Sequence, residues 1–155
     1  MVNMTGKPVI IYVLACVGTI LFTAFGCITA RPPTPDAIFR ELERHAERLA
    51  GKPAEVDALK GIRLGSTGYY YALDAHGRII SHPVKALIGF GFRENSLFKT
   101  MGESGRGCVR QKLGEEDKLV FFVPARGGGF ICLSISAVEL AGADAGCSIQ
   151  GQERQ

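Results

Sequence analysis

Apolar and polar positions divide this chain into segments of different period. Residues 8–30 carry no charge. Ile38, Leu42, His45/Ala46 and Leu49 then recur at helical spacing, with Arg40, Glu41, Glu43, Arg44, Glu47 and Arg48 on the opposite side. Thr34 fits an N-cap, Pro35 a first helical position, Asp36 the positive end of the helix dipole and Gly51 a stop. A short second helix is expected over 52–61, with Val56 and Leu59 inward. From Ser66 onward β-branched and aromatic residues dominate, predicting strands over 69–74, 78–82, 108–113, 119–123 and 130–136. A glycine-containing link, 83–92, follows the second strand, and then a short helix, 97–102, capped by Ser96. Residues 114–117 and 124–129 join the last three strands. Residues 138–140 form a final turn, and 141–155, rich in small and polar residues, read as a disordered tail. Five strands with short connections point to an α+β domain built on one antiparallel sheet.

As a helix, residues 8–30 would extend about 34 Å at about 1.5 Å per residue, enough for a hydrocarbon core of about 30 Å. A retained signal anchor, a cleaved signal peptide and a lipoprotein ending at Cys27 are all open readings. Length favours the anchor, and Ile28 is too large for an Ala-x-Ala cleavage site. Lys7 orients the N-terminus toward the cytoplasm, which places the domain outside the inner membrane. Residues 31–35, with Pro32, Pro33 and Pro35, make a stiff spacer. The expected organisation is therefore membrane segment 1–30, spacer 31–35, domain 36–140 and tail 141–155.

Lys and Arg total 18 against 15 Asp and Glu. Interspersed as they are, they form no basic stripe, and nucleic-acid binding is not expected. The glycine-rich stretches 102–107 and 127–129 lack a following Lys-Ser/Thr and open no βαβ unit, so they read as turns. Neither a nucleophile motif, a paired carboxylate nor a metal-ligand spacing is present, so no catalytic residue, metal or cofactor is expected.

The hairpin over 68–83 carries the most information. Asp74 can bond its own backbone and Gly77 can supply positive φ, which makes Asp-Ala-His-Gly a turn between two strands. A two-residue loop would set Tyr69 opposite His82 and Tyr71 opposite Ile80, and a bulge at Gly77 would shift that register by one.

Residues 64–140 resemble a single Cache domain, the PAS-like extracytoplasmic sensor module of bacterial receptors. The resemblance rests on Gly-x-x-Gly-Tyr-Tyr-Tyr at 65–71, Asp-x-x-Gly-Arg-Ile-Ile-x-His-Pro at 74–83 and Leu-Ile-Gly at 87–89. Ser-Leu-Phe-Lys at 96–99, Gly107 and the strand ending at Pro124 follow in the family's order. It implies a long N-terminal helix packed across a five-stranded antiparallel sheet of order 2-1-5-4-3, preceded here by one membrane helix. It also implies a small-molecule pocket between the sheet and the loops after strand two. In that order Cys108 and Cys132 lie two strand spacings apart, about 9–10 Å, beyond disulfide reach, so both are expected as free thiols.

The function implied is a membrane-tethered sensor of a short carboxylate or similar metabolite, acting through a signalling partner protein or a homodimer. Chemotaxis is one such setting. The alternative is an envelope assembly module whose pocket is degenerate. Expected ligand-binding residues are Tyr69, Tyr71 and His82 on one sheet face, with Arg93, Lys99 and Arg110 as cations and Phe98 and Phe122 as apolar walls. Position 122 is Phe where the family usually has a ligand-bonding Tyr, and the family's Arg-x-x-Trp is missing. For Tyr69 and Tyr71, core filling with a bonded hydroxyl remains the competing reading.

Overall fold

A computed structural model describes residues 33–140 and 147–149. The expected membrane segment, residues 8–30, lies outside the described residues, as do 141–146 and 150–155. Among the described residues no helix is long and apolar enough to cross a membrane.

Helix α1 (Pro35–Arg48) begins as its sequence dictates: Thr34 Oγ1 accepts a hydrogen bond from the Ala37 amide at 3.3 Å. Ile38, Leu42, His45 and Ala46 are its buried stripe. A 3-10 helix (Pro53–Gly61) follows, with Leu59 fully buried. The strands are β1 (Arg63–Leu64), β2 (Gly68–Leu73), β3 (Ile79–Ser81), β4 (Gly107–Leu113), β5 (Glu116–Pro124), β6 (Phe130–Ser136) and β7 (Ser148–Ile149), with helix α2 (Ser96–Ser104) between β3 and β4. The cap of α2 is Asn95, whose Oδ1 accepts from the Leu97 amide at 2.8 Å, and Ser96 is the first helical residue rather than the cap. The β4–β5 connection is only Gly114 and Glu115, because pairing continues to Leu113↔Glu116.

The sheet runs β1-β2-β6-β5-β4-β7, with β3 also on β2. Counting the five expected strands alone, this is the order 2-1-5-4-3. Cys132 is accordingly a free, buried thiol. Cys108 is not free: it is bonded to Cys147, with Cα atoms 4.5 Å apart. That bond and the parallel pairing of β7 with β4 correct the expectation of a featureless tail at residues 147–149. Composition concealed this, because an acceptable partner strand for an exposed sheet edge needs only two residues and a cysteine.

β5 and β6 are apolar on both sides because both sheet faces are covered. On one face α1 and the 3-10 helix pack on Tyr70, Ala72, Leu119, Phe121, Ile131 and Leu133. Phe39 meets Phe121 edge-on at 5.4 Å, and the Arg106 guanidinium lies 4.3 Å from the Phe39 ring centre. On the other face α2 and the link before it cover Tyr71, Leu73, Ile79, Val109, Val120, Phe122, Phe130 and Cys132 through Leu97, Met101 and Phe98.

The outer edge of β3 is bonded to that link: the Ile79 amide donates to Phe90 O at 2.9 Å and the Gly89 amide to Ile79 O at 2.8 Å. At the other end of β2 Glu139 closes the β1–β2 turn. Its carboxylate accepts from the Ser66 amide, the Ser66 hydroxyl and the Thr67 amide at 2.8–3.0 Å. The Thr67 side chain first, and then these bonds, hold the Glu139 carboxyl below its ordinary value of 4.5. A depressed carboxylate contributes stability that is complete above the unfolded value and lost as pH falls through the folded one. We expect Glu139→Gln to lower the melting temperature at pH 7 and to narrow its gap to wild type below pH 4. A gap that stays constant down to pH 3 would exclude this role.

Candidate functional site

The β2–β3 turn carries a bulge at each level. The Gly77 amide donates to Asp74 O at 3.0 Å and the Asp74 amide to Arg78 O at 2.9 Å, with Gly77 at φ +75°. Asp74 Oδ1 accepts from the His76 and Arg78 amides at 2.8 Å. A second irregularity lets Leu73 pair with Ile79 but Ala72 with Ser81, leaving Ile80 extra and 44% exposed. The next residues along are Tyr71 and His82. The two-residue-loop register, with Tyr69 opposite His82 and Tyr71 opposite Ile80, is therefore displaced, yet the three rings still gather. Ring centres lie 6.2 Å apart for Tyr69–Tyr71, 5.1 Å for Tyr69–His82 and 5.7 Å for Tyr71–His82.

His82 Nδ1 accepts from the Val84 amide at 3.0 Å, so the neutral ring carries its proton on Nε2. Burial lowers its pKa, and Arg63 on β1 acts in the same direction. Tyr71 is hydrogen-bonded to Cys132, and burial raises both groups, so neither ionises near neutrality. Across the sheet the row continues Tyr71–Cys132–Phe122–Gly107. Phe122 and Phe98 both stand edge-on to Phe130, at 5.9 and 6.0 Å. They share the Tyr–His face.

The expected cations fare differently. Arg93 and Lys99 are exposed on the cover. Arg110 lies on the opposite, α1-facing side, in line with Cys108, and its Nε contacts both Asp117 oxygens at 3.0 Å. Strand parity separates it from Tyr71. Parity also reveals a residue that the expectation omitted. Lys118 shares the face of Val120 and Phe122, is only 14% exposed, and places Nζ 5.5 Å from the Tyr69 ring centre. Its Nζ reaches the exposed Glu116 at 2.8 Å. Beside it Ser134, paired with Tyr69 and Val120, buries an Oγ that has no hydrogen-bond partner. Among the described residues no cluster of side chains could hold a metal ion.

No family model matches the chain, and no curated protein matches it. Solved structures are similar at low identity. The extracellular domain of mmHK1S-Z2, assigned as a histidine kinase, aligns with TM-score 0.49 and 23% identity over 56% of this chain and 38% of that one. A methyl-accepting chemotaxis protein from Vibrio parahaemolyticus RIMD 2210633 aligns at 0.47 and 18%, over 65% of this chain and 89% of that one. The ligand-binding domain of Mlp24 with asparagine aligns at 0.45 and 21%, over 60% and 38%. The chain thus spans less than two fifths of the mmHK1S-Z2 and Mlp24 domains. Its own strand order, β3-β2-β6-β5-β4 with α1 laid over one face, is the expected 2-1-5-4-3 arrangement. The fold is Cache-like. In this Cache-like domain the Tyr–His cluster occupies the face away from α1, beneath the connection between β3 and β4.

Proposed function

We propose that the domain is an extracytoplasmic sensor, tethered through residues 8–30, that binds a small carboxylate on the Tyr–His face and signals through a partner protein. The observation that carries this is the gathering of Tyr69, Tyr71 and His82 beside a largely covered lysine and an unpartnered buried hydroxyl. A buried hydroxyl without a partner costs about 1–3 kcal/mol, and a bound oxygen acceptor would remove that cost. Lys118 supplies the charge, Ser134 Oγ and His82 Nε2 supply donors, and Phe122 and Phe98 supply apolar wall. Arg93 and Lys99 act at the mouth and Arg110 takes no part. Tyr71 and His82 are nearly covered, so entry requires the link 83–95 to lift, a displacement that β3 would pass to the sheet.

The test is a thermal-shift screen against acetate, propionate, lactate and pyruvate. A true ligand at a hundred times Kd adds about 2.7 kcal/mol. Lys118→Gln is expected to weaken that ligand about tenfold or more, since a hydrogen bond to a charged group contributes about 1.5–3 kcal/mol. Equal stabilisation of wild type and Lys118→Gln would sink the assignment. The second reading, an assembly module, has one observation in its favour: Val84, Leu87, Ile88 and Phe90 on the same link are 38–60% exposed. Concentration-dependent association abolished by Phe90→Ser, with no acid stabilising the domain, would favour it.

A further inference from the structure

The α1 side of the sheet holds a cleft of about 460 Å³, within the range of small-molecule sites. It exists because the residues meeting there are too small to fill it. Ala46 of α1, Ala72 of β2 and the turn residues Ala75, Ala125, Gly127 and Gly128 all line it. The two turns cannot close the gap by moving nearer to each other, since their backbones already press together. A Cβ at Gly128 would meet the Ala75 Cβ at 2.8 Å, and one at Gly129, at φ +83°, would fall on Leu73 O. Leu49, Val56, Ile131 and the bulged Ile80 complete an apolar lining.

The rim is basic. Arg126 and Lys52 line the cleft with His76. Lys52 is paired with Glu55 at 3.2 Å, whereas among the described residues Arg126 has no ion-pair partner. Asp74 is the only carboxylate in the lining, and its Oδ1 is occupied by the His76 and Arg78 amides. An apolar chamber with one unpaired guanidinium at its mouth suits a ligand with a hydrocarbon body and an anionic head. We propose that this cleft is a second binding site, separate from the Tyr–His face, for a medium-chain or aryl carboxylate. Its occupant would touch α1 and the β2–β3 turn together, independently of whatever the other face binds.

The probe is octanoate, titrated into the full chain and followed by amide chemical shifts, with 1-octanol as the uncharged control. Shifts are expected at Ala46, Ala72, Ala75 and Gly128, and Arg126→Gln should weaken octanoate about tenfold while leaving octanol unchanged. Ile80→Trp, at a half-exposed position, should fill the cleft and abolish binding with the melting transition preserved. Lys118→Gln should leave octanoate affinity intact, which separates failure of this site from failure of the sensor reading. The proposal is overturned if octanoate shifts Tyr69 and His82 instead, or if Arg126→Gln binds as wild type does. It is equally overturned if the same amides shift with protein concentration alone, because the cleft is then a contact between copies.

Discussion

Cys147→Ser is expected to lower the stability of the domain by about 4 kcal/mol. The Cys108–Cys147 bond spans 39 residues, and in the chain-entropy account a closed loop of that size removes about this much freedom from the unfolded ensemble. In the folded state β7 contributes two paired residues, Ser148 and Ile149, too few to hold themselves in place. The covalent bond therefore supplies most of what keeps this strand on β4. Urea unfolding of oxidised wild type against Cys147→Ser measures the difference. The variant should also show the steeper denaturant dependence, since its unfolded chain is less constrained. Reduction of wild type should reproduce both changes. Coincident midpoints would show that the bond does not form in solution.

Phe121→Ala should cost about 3–5 kcal/mol, the range for emptying a buried aromatic site. Phe121 is fully buried, in register between Cys108 of β4 and Leu133 of β6, and its ring receives the edge of Phe39. Phe39 in turn lies beneath Arg106, which is ion-paired to Glu43 of α1 at 3.2 Å. The substitution thus removes the contact on which α1 crosses the sheet, as well as a large side chain. Phe121→Leu retains most of the volume and should cost less than half as much. Chemical denaturation of both variants reads the difference, and the assignment fails if Leu and Ala are equally destabilising.

Much of the architecture was legible because it rests on local rules. Thr34–Pro35–Asp36 opens α1, and apolar runs at 119–123 and 130–133 announce strands. The gathering of Tyr69, Tyr71 and His82 was also legible, although by a different register from the one the turn chemistry favoured. The extra residue Ile80 is a tertiary choice: β3 has to satisfy β2 on one side and the Gly89–Gly91 stretch on the other. No local signal encodes that.

The cations show where type alone misleads. Arg110 and Lys118 are both basic residues on adjacent strands, and only alternation from Phe122 distinguishes them. Counting back from Phe122 in twos reaches Lys118, and counting forward from Cys108 reaches Arg110 on the far side. The disulfide was hidden for another reason. Strand order correctly separated Cys108 from Cys132, but the true partner lay in a segment whose composition gave no hint that it returns to the sheet.

β7 has a consequence for company rather than for stability. Among the described residues, β7 pairs with Val109 and Arg110 of β4 and the 89–91 backbone lies along β3, so part of each margin of this sheet already has backbone bonded to it. Among the described residues these short pairings interrupt the ladder that an approaching strand would extend, which discourages chain-to-chain growth of the sheet at those points. A strand that approached at Val109–Arg110 or along β3 would meet backbone whose hydrogen bonds are already taken.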